Sequence, residues 1–345
     1  MKKSTFLILT ILLSLSYLNA NAKKWRVNST PSIQANFNSL NDAINSLSVL
    51  AGDTIFLEGS LVSYGEVNIT KPLVIRGPGY FLFENQQTQS NKVPAKINNL
   101  TFSPGSNGSI VSGVYINQYL IISESNIVVE NNFIGESLYF MANNLANIKI
   151  AKSIINAGII QYSMCQPGAI SNVIVSNNYI HTKTSGYTYD CAFGYLSGRT
   201  LMLGTNFSGI FSNNVFEGGT IESYNISYQN NIFITSPIYS IYSSSFTNNI
   251  CDGTQLPTGN NNQQNVVMTD VFVGASASSF DGKFILKAGS PSIGAANDNG
   301  DCGIFGGADP YMLSGVSGPA IYEILMPNSG SPATGINITL KAKAN

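Results

Sequence analysis

The residues best suited to chemistry in this chain of 345 residues lie in a polar insertion near its middle. Tyr187, Tyr189 and Asp190 stand close together, and Arg199 follows shortly after them. Tyrosine rings can stack on sugar rings and a charged group can fix a sugar's orientation, so these four residues are predicted to bind a glycan. In the alternative interpretation, the tyrosines pack a loop and Arg199 pairs with Asp190.

A catalytic version of this site would be a polysaccharide lyase, which removes a proton beside a uronate carboxylate. Lys183 or Arg199 would then be the base, and a tyrosine would be the acid. The acidic residues are scattered, with no pair or run suited to calcium, so no metal site and no cofactor are predicted and calcium has no support. No catalytic residue is predicted beyond the two lyase candidates.

Two other polar residues near the insertion are expected to play no special part. His181 is the only histidine, and it is expected to be an ordinary surface or coil residue. Glu222 is expected to be a solvent-exposed strand residue. With one His and four irregularly spaced Cys, the chain does not predict a zinc site.

A repeated phrase across residues 109–252 predicts the fold. In each copy, alternating apolar residues precede a residue pair, usually Asn-Asn, and another apolar pair follows. The first residues of these pairs are Asn131, Lys152, Asn177, Asn213, Asn230 and Asn248. Asparagine tolerates left-handed backbone angles, so the phrase predicts a strand, a tight turn and a strand. Steps of 21, 25, 36, 17 and 18 residues predict a solenoid with a ladder of stacked asparagines.

Two stretches interrupt this pattern. The step of 36 residues contains the polar insertion, which is either a long loop or a poorly marked extra coil. Residues 254–264 are predicted to be an excursion without a packing role. At the start of the solenoid, residues 39–50 place apolar residues at helical spacing behind Ser39, which predicts a helical cap. Residues 54–58 are predicted to form the first strand.

The beginning of the solenoid resembles a known family. A short helix, then residues 52–57 (Gly-Asp-Thr-Ile-Phe-Leu) and residues 71–79 (Lys-Pro-Leu-Val-Ile-Arg-Gly-Pro-Gly), is similar to the start of pectin-lyase-like β-helix proteins. The Asn-Asn phrase is similar to the strand–turn–strand corner of that superfamily. The resemblance covers residues 39–311 and implies an all-β, right-handed parallel β-helix of the secreted bacterial type.

The same resemblance says little about activity, because this fold hosts lyases, hydrolases, binding proteins and scaffolds. Hydrolases of the fold need carboxylates beside a Gly-His-Gly motif, and His181 stands in Tyr-Ile-His-Thr-Lys instead. The resemblance also implies a closing coil at residues 284–294 and 301–311. Residues 320–326 and 335–343 are predicted to form a C-terminal β-hairpin, either a cap over the solenoid or a sorting tail.

The first 22 residues are predicted to be a signal peptide cleaved after Ala22. Their basic start, short apolar core and Ala-Asn-Ala site fit export, and the core is too short to span a membrane. The mature chain is therefore expected to be secreted, periplasmic or on the cell surface, without a membrane span. Residues 23–318 form the predicted β-helix domain, and 319–345 form the hairpin segment.

Composition limits the partners further. Charged residues make up only 10% of the chain, and without Lys2 and Lys3 it has 15 basic and 18 acidic residues, a net charge of −3. Nucleic acid is therefore not a predicted partner. Four cysteines in an exported chain allow three disulfide patterns, of which Cys165 with Cys191 is favoured, and free buried thiols are the alternative.

The predicted function is non-catalytic binding of, or scaffolding on, a polysaccharide or cell-surface glycan by a monomer. Its basis is an extended, weakly charged surface rich in Asn, Ser, Thr and Tyr. The alternatives are a polysaccharide lyase and a structural or adhesive surface protein.

Overall fold

The chain folds as a parallel β-solenoid closed by a C-terminal layer. A computed structural model describes residues 22–162, 168–182, 187–190, 194–240, 243–315, 319–333 and 335–343, with the backbone alone at 187–190, 194–197 and 239–240. Three long sheets, called A, B and C, contain ten, eight and eight strands. Strands in each sheet pair in parallel with the equivalent strands of the coils before and after. The predicted all-β parallel β-helix is confirmed.

Each full coil visits the sheets in the order A, C, B. The strands of sheet A are β1 (Lys24–Val27), β2 (Thr54–Leu57), β4 (Val74–Arg76), β7 (Ile110–Ser112), β10 (Val128–Glu130), β13 (Leu145–Ala151), β16 (Ile170–Ser176), β21 (Phe207–Ser212), β24 (Ile226–Gln229) and β27 (Ser245–Thr247). Those of sheet B are β3 (Val67–Ile69), β6 (Leu100–Phe102), β9 (Leu120–Ile122), β12 (Leu138–Phe140), β15 (Ile159–Gln161), β20 (Arg199–Met202), β23 (Thr220–Glu222) and β26 (Ile238–Ser240). Those of sheet C are β5 (Lys96–Ile97), β8 (Tyr115–Ile116), β11 (Phe133–Ile134), β14 (Ile154–Ile155), β17 (Tyr179–His181), β22 (Val215–Glu217), β25 (Ile232–Ile234) and β28 (Ile250–Cys251).

Two antiparallel hairpins and several short helices lie outside the three sheets. They are β18 (Tyr187–Asp190) with β19 (Gly194–Ser197), β29 (Ala320–Leu325) with β30 (Thr339–Lys343), the α-helices α1 (Leu40–Asn45) and α2 (Met268–Val271), and the 3-10 helices η1 (Gly274–Ser276), η2 (Asp281–Phe284) and η3 (Leu313–Gly315). No helix among the described residues is long and apolar enough to cross a membrane.

Alternation along each strand builds the core. Side chains in a strand point alternately to its two faces, so every second residue enters the solenoid. In sheet A, one row of paired residues is at most 2% exposed and consists of Ile55, Ile75, Val111, Val129, Ile150, Val175, Phe211, Tyr228 and Phe246. Burying one such side chain contributes about 1.5–3 kcal/mol, so the stacked rows supply the main stabilising term.

The asparagine pairs form the corner between sheets A and C. The first residue of each pair has a positive φ of 50–58°, and Gly113, with φ 73°, takes that place one coil earlier. The second residues are fully buried and comprise Asn132, Ser153, Asn178, Asn214, Asn231 and Asn249. The Oδ1 atom of Asn231 accepts the backbone N–H of Asn214 at 2.8 Å, and Asn249 does the same for Asn231 at 2.9 Å. The predicted asparagine ladder is confirmed.

Residues 254–264 were predicted to have no packing role, and that prediction is wrong. Asn262 continues the ladder beyond the last full coil, because its Oδ1 atom accepts the backbone N–H of Asn249 at 3.0 Å. Gln263 also forms an isolated parallel bridge with Ile250. The excursion therefore returns to close the end of the ladder.

The long step between the Asn177 and Asn213 repeats is one coil with an inserted hairpin. Strand β16 pairs directly with β21, and β17 pairs directly with β22. The inserted residues form the antiparallel pair β18–β19 between β17 and β20. No extra coil is present among the described residues of this stretch.

A short N-terminal strand and helix cover the first coil. Strand β1 precedes the strand that the sequence marked as the first, and it pairs in parallel with β2. Helix α1 confirms the predicted cap but ends at Asn45 rather than near Leu50. The Ser39 side chain accepts the N–H of Asp42, and Leu40 and Ile44 are buried beneath the helix.

The predicted closing coil at residues 284–294 and 301–311 is wrong. Residues 266–315, here called the C-terminal layer, instead cover the outer face of sheet C. The outer row of sheet C is apolar and consists of Tyr115, Phe133, Ile154, Tyr179, Val215, Ile232 and Ile250. These residues, with Phe272, Phe284, Ile304 and Tyr311 of the layer, belong to a second hydrophobic cluster outside the solenoid core.

In most of the pairs, the first residue attaches this layer. The side-chain amides of Asn248, Asn213 and Asn177 donate to the carbonyls of Ala295, Asp301 and Ile304 at 2.9–3.0 Å. Lys152, the substitute in the degenerate copy, reaches Asp309 at 2.8 Å. The C-terminal layer therefore runs from the last coils towards the first, opposite to the order in which the coils follow one another along the chain.

A buried polar cluster fixes the far end of the C-terminal layer to the first coils. Asp281 is fully buried and accepts hydrogen bonds from the Tyr311 hydroxyl at 3.0 Å and the Ser314 N–H at 2.7 Å. The Asn85 amide donates to the same carboxylate at 2.8 Å. Tyr80 and Tyr311 share a hydroxyl–hydroxyl bond of 2.8 Å. Since each of these groups has a partner, the cluster avoids the cost of a lone buried charge.

The C-terminal hairpin is present and largely exposed. Six of its apolar side chains, in the range 321–340, are 45–57% exposed. The Ser90 N–H donates to the Ile321 carbonyl at 2.8 Å, which places the base of the hairpin beside the loop after β4.

Cys251 and Cys302 are free thiols on opposite faces of sheet C. Cys251 belongs to the solenoid core, whereas Cys302 belongs to the cluster under the C-terminal layer, so the sheet separates them. Burial raises the pKa of Cys302 to about 12. Cys165 and Cys191 lie outside the described residues, and their pairing stays a prediction.

The ladder predicts a large effect for one amide. Asn231→Ala removes the acceptor of the Asn214 N–H and the donor to the Phe211 carbonyl, both buried, so we expect the free energy of unfolding to fall by about 3 kcal/mol. Urea denaturation measures this. Asn117→Ala, which removes an exposed amide contact, should cost under about 0.5 kcal/mol. Equal effects of the two substitutions would contradict a structural role for the ladder.

The N-terminus yields a second prediction. The Lys23 N–H donates to Asp53 at 2.7 Å, and Trp25 Nε1 donates to the same carboxylate at 2.8 Å. Burial by itself raises the pKa of Asp53, but the hydrogen bonds from Trp25, Leu50 and Lys23 lower it overall. Cleavage after Ala22 would place the new α-ammonium group on this carboxylate. We therefore expect a chain starting at Lys23 to be about 1 kcal/mol more stable than one starting at Asn21.

Thermal unfolding across pH checks this advantage. The folded-state pKa of Asp53 is lowered, so its contribution is present above the usual carboxyl range and is lost as the pH falls through the lowered value. Asp53→Asn should remove the difference between the two N-termini at neutral pH. A difference that survives Asp53→Asn would show that the α-ammonium group acts elsewhere.

Candidate functional site

A large groove among the described residues lies over the outer face of sheet A at β1, β2 and β4. Its volume is about 690 Å³, and it adjoins a second hollow of about 500 Å³. The two share part of their lining, namely Phe56, Arg76, Gly77, Pro78, Gln89 and Asn91. Together they form one open channel, here called the sheet A groove, that ends at the base of the C-terminal hairpin.

Three residues in register form the floor of the sheet A groove. Arg26 pairs with Phe56, and Phe56 pairs with Arg76, so one residue from each of three neighbouring strands occupies the same row. Their strand neighbours Ile55 and Ile75 are fully buried, so alternation turns the floor residues outward. The Phe56 side chain is 39% exposed, with an arginine on either side.

The two arginines differ in their partners. Arg26 Nε donates to Glu58, whose other oxygen accepts the Asn28 amide at 3.0 Å. Burial by itself raises the pKa of Glu58, but the bonds from Arg26 and Asn28 and the charge of Arg26 lower it overall. Arg76, in contrast, is exposed, and its guanidinium group has no hydrogen bond or ion pair among the described residues.

Apolar and amide side chains form the walls. Ile33 and Leu61 are 41% and 85% exposed on one side, and Gln89 and Asn91 stand on the other. Gly59 permits the close approach of residue 93 at this wall, because a Cβ atom there would overlap the Val93 carbonyl. An aromatic floor, a free guanidinium group and flanking amides suit a sugar ring that carries an acidic group.

A second aromatic surface lies on sheet B. Tyr119, Tyr139 and Tyr162 come from successive coils, each two residues further along its strand than the one before, so they form a diagonal. The Tyr119 and Tyr139 ring centroids are 5.5 Å apart, and Tyr119 and Tyr162 are 38% and 51% exposed. The charged group that acts on Tyr139 is the Glu136 carboxylate rather than a cation such as Arg76, so this surface is the weaker candidate for orienting an acidic ligand.

The structure places the predicted site in a different coil from the sheet A groove. Tyr187, Tyr189 and Asp190 belong to β18, where Tyr187 pairs with Ser197 and Tyr189 pairs with Tyr195. The two tyrosines are two positions apart in this strand. Their side chains, that of Asp190 and all of Lys183 lie outside the described residues, and their glycan contact stays a prediction.

Arg199 is held in a buried ion pair. Its Nη1 atom lies 2.9 Å from Oε2 of Glu222, and the two side chains are 12% and 9% exposed. The expectation that Glu222 is solvent-exposed is therefore wrong, because β20 and β23 are neighbours in sheet B and bring the two residues together. A guanidinium group this enclosed is poorly placed to act as a lyase base on a polymer.

His181 packs against an aromatic ring and belongs to no group of potential metal ligands among the described residues. His181 is half-buried at the end of β17, with its ring stacked on Tyr179 at a centroid distance of 6.0 Å. Among the described residues, no three His, Cys, Asp or Glu side chains are grouped so that they could hold a metal ion.

Sequence reasoning missed the sheet A groove because its residues are far apart in the chain. Arg26, Phe56 and Arg76 are separated by 30 and 20 positions, and each is a single polar or aromatic residue in a different strand. The available signal was local. Phe56 stands between Ile55 and Leu57, where alternation predicts that an aromatic side chain faces outward.

The buried ion pair generates a prediction about stability. Glu222→Ala leaves the Arg199 guanidinium buried without this carboxylate, so the free energy of unfolding should fall by about 3–5 kcal/mol. Urea denaturation measures the loss, and Glu66→Ala, at an exposed glutamate, should change stability by under about 0.5 kcal/mol. If both substitutions are equally mild, Arg199 is compensated by another group.

When the chain is compared with known proteins, no protein-family model, no curated protein and no solved structure matches it.

Proposed function

We propose that this protein binds an extended polysaccharide in the sheet A groove, without chemical change of the ligand. The single observation that carries the proposal is the floor of the groove, where the exposed Phe56 ring lies in register between Arg26 and the unpaired Arg76. The ring would stack on a sugar, and Arg76 would pair with a carboxylate or sulfate group on it.

The rest of sheet A supports a long rather than a compact ligand. The outer row that contains Arg26, Phe56 and Arg76 continues along the solenoid through mostly small or polar residues, namely Ser112, Glu130, Ala151, Ser176, Ser212, Gln229 and Thr247. Ser112 and Ala151 are buried and the other five are partly exposed, so a polymer that extends along this row would meet hydrogen-bonding side chains in most of the coils. Low charge over the row fits hydroxyl-rich sugars.

Membership of the pectin-lyase-like superfamily is part of this proposal. The support comes from the three-sheet parallel solenoid, its N-terminal helix and its asparagine corner, which are the features that carried the resemblance in the sequence. Export through a cleaved signal peptide and action as a monomer are proposed with it, since an extracellular polysaccharide requires an exported binder.

The lyase alternative receives less support from the described residues. Arg199, one of its two candidate bases, is enclosed with Glu222, and the sheet A groove contains no lysine. The adhesive alternative is supported by a different observation. The hairpin β29–β30 exposes apolar side chains, which suit contact with another protein better than contact with a sugar. Both alternatives are outcomes of the experiment below.

The experiment measures glycan binding and ultraviolet absorbance together on the chain starting at Lys23. The panel pairs neutral polysaccharides with carboxylated and sulfated ones of similar length. We expect binding without new absorbance, with preference for the acidic members. Phe56→Ala and Arg76→Gln should each weaken binding about tenfold or more, which is about 1.4 kcal/mol. Arg76→Gln should also remove the preference for acidic glycans.

Matched variants separate the groove from other surfaces. Phe83→Ala changes a 78% exposed ring outside the groove, and Lys287→Gln removes an exposed charge from the C-terminal layer, so neither should alter binding. Weakening by Tyr119→Ala but not by Phe56→Ala would move the binding surface to sheet B. An increase in absorbance would establish a lyase, and absence of binding to the whole panel would favour the adhesive alternative.

A further inference from the structure

A separate cavity lies between sheet C and the C-terminal layer. Its volume is about 320 Å³, and its walls are mainly apolar, formed by residues such as Ile234, Met268 and Phe272. Only two charged residues line it, Glu217 at the end of β22 and Lys283 in η2. Apolar walls with a few polar groups are typical of a small-molecule site.

The Lys283 ammonium group is surrounded by aromatic rings. Its Nζ atom is 4.0 Å from the Phe280 ring centroid, 4.8 Å from that of Phe284 and 5.4 Å from that of Tyr179. No hydrogen-bond acceptor and no carboxylate pairs with Nζ among the residues that the structure describes. Burial lowers the pKa of Lys283, while the charge of Glu217 opposes this change. Lys283 is thus a half-buried amine without a polar partner, beside an open cavity.

Glu217 provides a proton-carrying group in the same cavity. One of its oxygens, Oε2, accepts the Tyr179 hydroxyl at 2.6 Å. Burial, followed by the hydrogen bond to Glu217, raises the pKa of Tyr179, so that hydroxyl keeps its proton. The fixed hydroxyl orients the Glu217 carboxylate. His181 stacks on Tyr179 and pairs with Glu217 in the sheet register, so it stands next to the same group.

We propose that this cavity takes a small aldehyde or ketone with an apolar substituent, and that the Lys283 amine forms an imine with it. The amine nitrogen attacks the carbonyl carbon and gives a carbinolamine. The carbon–oxygen bond then breaks, and the oxygen leaves as water with both protons of the original amine. Glu217 carries a proton between the nitrogen and the departing oxygen, so neither an oxidant nor a reductant is needed.

A carbonyl compound fits the cavity better than an anion. The Glu217 carboxylate lines the same space and would repel a second carboxylate, whereas a carbonyl group is neutral. The apolar walls suit a short hydrocarbon substituent. The proposal does not depend on the sheet A groove, which lies over a different sheet.

Reductive trapping tests the proposal on the unaltered chain from Lys23. The protein is incubated with butanal and sodium cyanoborohydride at pH 7, and peptide mass spectrometry measures the labelling of each lysine. Lys287 is an internal control, because it is four residues away and exposed. We expect Lys283 to be labelled several times faster than Lys287, and we expect the ratio to approach one in denaturant. A ratio of one in the folded protein would overturn the proposal.

The pH dependence and two variants complete the test. The groups that face Lys283 are Glu217 and Tyr179, while the neighbouring Asp281 points into its own buried cluster. The advantage of Lys283 should shrink as the pH approaches 10, where ordinary lysine amines also become neutral. Glu217→Gln should slow labelling of Lys283 and leave Lys287 unchanged. Lys283→Arg should abolish labelling at that position while the melting temperature is preserved, and unchanged labelling in Glu217→Gln would refute the proposed proton transfer.

Discussion

The satisfaction of backbone groups at the corner between sheets A and C is the constraint on which this structure depends. A solenoid must turn sharply at each coil, and every sharp turn leaves buried N–H and C=O groups without partners in the sheets. The buried amides solve this, because each side chain donates to a carbonyl of the preceding coil and accepts a backbone N–H of that same coil, as Asn214 does with Val175 and Asn178. Asn178, Asn214, Asn231 and Asn249 thereby join coils that the strands alone would hold only by their edges.

The two residues of each asparagine pair have different roles. The second residue points inward and connects the coils. The first residue adopts a positive φ, and in most of the pairs its side chain points out of the solenoid and binds the C-terminal layer. One sequence phrase therefore specifies the turn, the ladder and the attachment of a segment that comes much later in the chain. The apolar outer row of sheet C would be exposed without that layer, which explains why this sheet is apolar on both faces.

Sheet A remains uncovered across its first coils, and this is why its outer row is available for a ligand. Sheet C is occupied by the C-terminal layer, and that layer creates the cavity containing Lys283 and Glu217. The two proposed sites thus have different origins. The groove is formed by unlike residues in register on neighbouring strands of sheet A. The cavity is formed where the C-terminal layer packs against sheet C.

The solenoid can be predicted from the amino-acid sequence because its signals are local: alternation of apolar residues, paired asparagines and a capped helix each lie within one coil. The C-terminal hairpin and the ladder are predictable for the same reason. The folded chain was needed to show that residues 284–311 lie across sheet C, that Glu222 is buried with Arg199, and that Phe56 stands between Arg26 and Arg76. These facts depend on which residues of different coils share a row. The repeats are 17 to 36 residues apart, so the sequence does not show which residues of neighbouring coils pair. Each insertion changes the distance between repeats along the chain but leaves the pairing of the strands unchanged.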